Sequence, residues 1–162
     1  MDGIYNAIRA NNDQEVKRLV QSGIPDASSD LLHSASQWGN PEIVKILLDA
    51  GMKQHIDTFD ELSLTPLMWA ALNNHISVVK LLLSYGANVN VFDEPKIGNT
   101  AVREAARNGT IEIIKALLDA GADPRIKGWM QLNAIDVAEE RHAEEKSEES
   151  EAILKLLKSA VE

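Results

Sequence analysis

Four histidines and twenty-five acidic residues are the side chains of this chain that could carry chemistry. The histidines, His33, His55, His75 and His142, stand far apart, and none begins an H-E-x-x-H helix or another ligand spacing for zinc. There is no cysteine, which removes disulfides, thiolate metal sites and a thiol nucleophile together. Neither the phosphate-cradling G-x-x-x-x-G-K-[ST] loop nor the dinucleotide fingerprint G-x-G-x-x-G occurs. Abundant Asp and Glu without a cradle or an activated nucleophile read as solvated surface. The expectation is a protein that is not an enzyme, with no catalytic residue, metal or cofactor.

The elements that would position these residues repeat. Glycines at 23, 51, 86 and 121 follow apolar runs, with separations of 28, 35 and 35 residues. Glycine is the residue expected where a helix ends in the left-handed conformation. Start residues Asp30, Thr65, Thr100 and Asn133 are 35, 35 and 33 apart, and all four are side chains that favour the N-cap. Between start and stop lies a common second-helix pattern: "EIVKILLDAG" at 42–51, "SVVKLLLSYG" at 77–86 and "EIIKALLDAG" at 112–121. Fainter copies are "EVKRLVQSG" at 15–23 and "AILKLLKS" at 152–159. Lys17, Lys45, Lys80, Lys115 and Lys155 mark the position that stays wet. Each unit reads as a short helix, a tight turn and a second helix. Isolated helices of this length are marginal in water, so stacked neighbours must supply the core.

"TPLMWAALNNHISVVKLLLSYGANVN" resembles the ankyrin repeat, whose hallmarks are a Thr-Pro-Leu-His-x-Ala start and a period near 33. Thr65, Pro66, Leu67 and Ala70 match. Met68 stands where the histidine would be; His33 keeps it in the preceding copy, and Arg103 replaces it in the next. The resemblance implies an all-α helix-turn-helix solenoid with hairpin-like finger loops. It covers the chain as one domain, with repeats near 1–29, 30–59, 60–94, 95–127 and 128–162. The first repeat, with the short "IPDASSD" after Gly23, is expected to be a cap closed by Ile4, Tyr5, Ile8, Val16 and Leu19. Ile153, Leu154, Leu156 and Leu157 are expected to close the other end. Two capped ends would suit a self-contained protein or an intact domain. His33 and His75 are expected to tie loops together.

The net charge of −9 disfavours nucleic acid, which needs clustered Lys and Arg, and is compatible both with simple solubility and with a basic protein partner. Within 139–151, "EERHAEEKSEESE", seven acids face two bases. This stretch is expected to be an insertion at the last helix–helix turn, as a solvated extension or a mobile loop, with an acidic docking role also open. The N-terminus lacks a signal-peptide pattern and no apolar run is long enough for a membrane span, so an intracellular, cytoplasmic setting is expected.

Family resemblance implies protein binding, as an adaptor, scaffold or inhibitor, through the concave face of fingers and first helices. The residues that follow the Ala-Ala pair, carried onto this chain, are Gln37, Trp38, Leu72, Asn73, Arg107 and Asn108. Leu62, Leu64, Phe92, Ile97, Trp129 and Met130 put apolar groups into finger segments. Trp38 either anchors a partner or packs on the adjacent finger. Trp69 is expected in the core and Tyr85 on the convex side. The alternatives are an acidic immunity-type inhibitor of a basic toxin or nuclease, and a self-associating structural protein; a monomer without membrane or nucleic-acid partners is the primary expectation.

Overall fold

The computed structural model describes residues 2–23, 30–93 and 98–162. Among them ten α-helices and no strand occur. They are α1 (Asp2–Arg9), α2 (Asp13–Gln21), α3 (Asp30–Trp38), α4 (Pro41–Asp49), α5 (Pro66–Leu72), α6 (Ile76–Ser84), α7 (Ala101–Asn108), α8 (Ile111–Asp119), α9 (Ala134–Glu145) and α10 (Glu148–Ser159). Every odd helix packs on the even helix that follows it. Odd helices then stack on odd and even on even, in chain order, giving an all-α solenoid of two layers. Finger loops precede the first-layer helices α5, α7 and α9.

Local chemistry sets the helix ends. Thr65 and Thr100 accept from the backbone N–H groups of Met68 and Arg103, each at 3.3 Å. Asn133 accepts from Asp136 N at 3.1 Å while Asp136 Oδ2 accepts from Asn133 N at 2.8 Å, a reciprocal capping box. Asp30 departs from the expected cap role: it is the first residue of α3 itself. The stop glycines 23, 51, 86 and 121 take φ of 103°, 100°, 93° and 86°. A Cβ at any of the four would meet open space, so backbone conformation and not crowding selects glycine there.

The core lies between the layers. Ile43, Val44 and Leu47 of α4, Val78, Val79 and Leu82 of α6, and Ile113, Ile114 and Leu117 of α8 are fully buried. Each such side chain contributes about 1.5–3 kcal/mol of transfer free energy. The paired alanines Ala70–Ala71 and Ala105–Ala106 are buried where α5, α7 and α9 stack, and their small side chains let the helices approach closely. The five lysines of the second-helix pattern are all exposed, as expected. Ile4, Ile8 and Val16 are buried at one end and Ile153 and Leu157 at the other, with Tyr5, Leu19, Leu154 and Leu156 half-buried against them. The segment 24–29 lies outside the described residues.

The acidic stretch, expected as a solvated extension or a mobile loop, is helix and not a loop. It lengthens α9 and α10 to 12 residues each, against 7 to 9 in the other helices. Lys146, at φ 51°, makes the turn, and Ser147 caps α10 by accepting from Ser150 N at 3.1 Å. Glu148, Glu149 and Glu151 fall in the first turn of α10, where the positive end of the helix dipole favours them. Arg141 pairs with Glu145 at 3.0 Å, and Lys158 reaches back to Glu139 at 2.8 Å. These arrangements offset the like-charge repulsion that the i,i+4 spacing of Glu140 and Glu144 creates within α9, and the turn at Lys146 puts Glu148 on the next helix. Among the described residues no helix is long and apolar enough to cross a membrane.

Candidate partner-binding face

The finger before α5 is shaped by one carboxylate. Asp60 Oδ1 accepts from Leu62 N at 2.9 Å and Leu64 N at 3.0 Å, while Asp60 N donates to Leu64 O at 3.0 Å. This closes a tight loop that throws Leu62 outward, 58% exposed, and turns Leu64 inward to 8%. Leu64 is therefore a core residue and not a surface one, because two backbone bonds to Asp60 rotate it under the finger. The other oxygen, Asp60 Oδ2, accepts from the indole Nε1 of Trp69 at 2.6 Å. That bond corrects the expectation for Trp69: it is half-buried, with its N–H on the finger, where a core position would leave the indole donor unsatisfied.

Trp69 thereby becomes one wall of an open groove of about 490 Å3. Tyr5 and Arg9 of α1 and Asp30 and Gln37 of α3 line it opposite Asp60, Glu61 and Leu62. Of the expected binding residues, Gln37 and Leu62 meet in this groove, and Trp38 does not line it. His33 sits beneath it, 3% exposed, and its Nε2–H donates to Thr58 O at 2.8 Å, tying α3 to the following finger. His75 works the opposite edge, donating from Nε2 to Gln37 O at 2.9 Å. Both are structural ties, as expected.

The last finger is held differently, and the sequence did not disclose how. Arg103, at the position His33 and Met68 occupy in earlier repeats, is 1% exposed. Its Nε donates to Leu132 O at 3.0 Å, its Nη2 to Trp129 O at 3.2 Å, and its Nη1 to Asn99 Oδ1. Glu104, 5% exposed, lies 3.7 Å from Arg103 Nη1 and accepts from Asn99 Nδ2. Burial pushes the Glu104 carboxyl above the usual carboxylate range, against the pull of Arg107 and Arg103. Burial likewise lowers Arg103, against the pull of Glu104. The clamped loop carries Met130 and Gln131 at φ of 60° and 62° and leaves Trp129 and Met130 56% and 66% exposed. The only signal in the sequence was a charged residue in the histidine register; its partners lie 26 and 29 residues further on.

The remaining expected residues divide. Trp38 is 53% exposed at the end of α3. Arg107 and Asn108 are exposed at the end of α7, although Asn108 O accepts from Asn74 Nδ2 at 2.9 Å. Asn73 is exposed and donates to Trp69 O at 2.9 Å. Leu72 is half-buried against the core, so only part of it is available to a partner, and Phe92 is also half-buried. Ile97 lies outside the described residues. Tyr85 donates from its hydroxyl to Asp49 Oδ1 at 2.6 Å, joining neighbouring second-layer helices.

A serine–histidine contact exists between His142 Nδ1 and Ser150 Oγ at 2.9 Å. Ser150 is 1% exposed and its hydroxyl donates to Ser147 O at 2.9 Å, so the contact fastens the α9–α10 turn and presents no nucleophile to solvent. Among the described residues no three His, Asp or Glu side chains come together as a metal site.

Against family models, residues 50–128 match the description "Ankyrin repeats (3 copies)" and residues 29–58 match "Ankyrin repeat". The two matches together run from 29 to 128, more than half of the 162 residues. No curated protein matches the chain.

Proposed function

This chain belongs to the ankyrin-repeat family, and from that premise we propose that it binds another protein through its fingers and first-layer helices. Ankyrin repeats are in general protein–protein interaction modules and typically not enzymes. The finer reading is that this one acts as an adaptor, scaffold or inhibitor by covering a partner's surface, and that it performs no catalysis itself.

The observation that carries this reading is where apolar surface is left uncovered. The large hydrophobic side chains exposed among the described residues are Trp38, Leu62, Trp129, Met130 and Val161. Four of these five stand on fingers or at the end of a first-layer helix; Val161 lies beyond α10. Exposed tryptophan is costly in water and is enriched where binding energy concentrates. The negative charge favours a basic partner, through steering and through selectivity at the rim.

The test is affinity capture from the native lysate with the folded protein beside a Trp38→Ala, Trp129→Ala double variant. A partner held by the parent and released by the folded variant supports the reading. Equal retention by both overturns it, and a mass that rises with concentration replaces it with self-association.

A further inference from the structure

We propose that the groove between α1, α3, α5 and the 60–62 finger seats one arginine side chain, presented by an extended segment of the partner protein with an apolar residue beside it. The inference rests on the protein-binding reading above and adds the chemistry of what this part of the face accepts.

Shape comes first. At about 490 Å3 and open to solvent, the groove falls in the range that holds a small ligand or a side chain with its flanking backbone. Its apolar surfaces are Trp69, Tyr5 and the exposed Leu62. Trp69 is fixed by its bond to Asp60, so its ring is in place before a partner arrives. A cation placed over such a ring is attracted by its quadrupole, more strongly where water is displaced.

Charge decides the sign. Among the described residues the groove is lined by three carboxylates, Asp30, Asp60 and Glu61, and by one cation, Arg9, with Tyr5 and His33 as its other titratable groups. His33 has its Nε2–H committed to Thr58 O. An anionic segment would therefore face a net repulsion, and a purely apolar one would strip water from the exposed Glu61 carboxylate without replacing its hydrogen bonds. A carboxylate offers about four lone-pair sites; Asp60 accepts three bonds from its own finger and Trp69, which leaves it room for one more. Glu61 is exposed at the rim and Leu62 beside it. One cation brings these four charges from −2 to −1, so the guanidinium is attracted and not repelled.

Arginine suits it better than lysine. The guanidinium is planar, weakly hydrated and able to lie on an indole while its edge reaches carboxylates. A lysine ammonium would have to leave more of its water behind. Leu62 then gives the neighbouring apolar residue a place to rest.

The experiment is an NMR titration of the isotope-labelled full chain with the blocked peptide Ac-Ala-Leu-Arg-Leu-Ala-NH2, beside the same peptide carrying citrulline, the neutral isostere of arginine. The expected result is shifts at the Trp69 indole N–H and the 60–62 amides. The citrulline peptide should bind about tenfold more weakly, or worse, since a hydrogen bond to a charged group contributes about 1.5–3 kcal/mol. Glu61→Gln should weaken the arginine peptide by up to about fivefold, as an exposed ion pair does, and Leu62→Ala should also weaken it. Both residues are exposed, so neither substitution disturbs the core. Equal affinity for the two peptides, or shifts centred elsewhere, overturns the proposal. Shifts at the same resonances on concentrating the protein alone would overturn it in favour of a second copy as the occupant. A captured partner that needs Trp38 and Trp129 while the arginine peptide leaves the groove unmoved would sink this inference and leave the protein-binding reading standing.

Discussion

Replacing Arg103 by methionine tests how the last finger is built, and Met68, buried in the same register one repeat earlier, shows that the position accepts that shape. The substitution removes guanidinium bonds to Leu132 O, Trp129 O and Asn99 Oδ1. It also takes from the buried Glu104 one of the two cations that act on it, leaving Arg107. Breaking a buried pair by deleting one partner costs about 3–5 kcal/mol, a large share of a total stability of about 5–15 kcal/mol. The loss should be local, because in a solenoid each unit contacts only its neighbours. Urea unfolding followed by far-UV circular dichroism measures the total, and hydrogen exchange shows where it falls; amides of 98–104 and 126–137 should lose protection before those of α3 and α4. The double variant Arg103→Met, Glu104→Gln removes the buried carboxylate that the first substitution leaves with Arg107 alone and should recover about 1–2 kcal/mol of the loss. A loss under about 1 kcal/mol, or protection lost evenly along the chain, would show that the fingertip stands without its clamp.

Other substitutions reach separate parts of the structure. Ser36 Oγ is buried without a hydrogen-bond partner, and the equivalent residues one and two repeats on are Ala71 and Ala106; Ser36→Ala should raise stability by about 1 kcal/mol in urea unfolding. Gly39, at φ 81°, faces the His75 ring, so a Cβ there strains the backbone and also displaces the His75–Gln37 bond. Gly39→Ala should therefore cost about 2–3 kcal/mol in thermal unfolding, whereas Gly51→Ala, with open space around it, should cost only the backbone term of about 1–2 kcal/mol. Glu104 has its pKa raised on folding, mainly by burial, so the native state holds this proton to higher pH than the unfolded chain. The contribution is full below the unfolded value and is lost as pH rises through the folded value. The stability of Glu104→Gln relative to the parent should accordingly improve from acid to neutral pH; a flat difference would place the carboxyl in water.

What could be read in the sequence was what neighbours along the chain decide. Thr65, Thr100 and Asn133 cap helices through bonds spanning two or three residues, and the stop glycines answer to their own φ. The wet lysines and the buried Ile, Val and Leu around them follow from periodicity alone. Leu64 escaped because its direction is set by a carboxylate four residues back, and Trp69 because the partner of its indole lies nine residues back in a finger. Arg103 escaped for the same reason at longer range. That the acidic stretch is helix and not a loop depends on the cap at Ser147, the α10 dipole and the ion pairs that offset its like charges, none of which the spacing of its acids displays. Of the expected face, the exposure of Trp38, Leu62, Trp129 and Met130 followed from the repeat register, but the groove that joins Gln37 to Leu62 depends on Asp60.

Both edges of the stack are laced from one unit to the next. On the finger side His33 reaches Thr58 O, Asn90 brackets Gly121 O and Asp123 N at 2.8 Å each, and Arg103 reaches Leu132 O. On the turn side His75 reaches Gln37 O, Asn74 reaches Asn108 O, and Arg141 reaches Gly109 O at 2.7 Å. Pinned on two sides, the stack resists bending, since bending breaks bonds along one edge or compresses them along the other. Ties at fixed spacing also make a ruler. Stacked helices stand about 8–10 Å apart, and an extended chain advances about 3.3 Å per residue. A partner strand laid along the fingers would thus meet equivalent positions about every three residues. Its side chains would have to keep that pitch, because stretching the stack to meet them would break the ties between units.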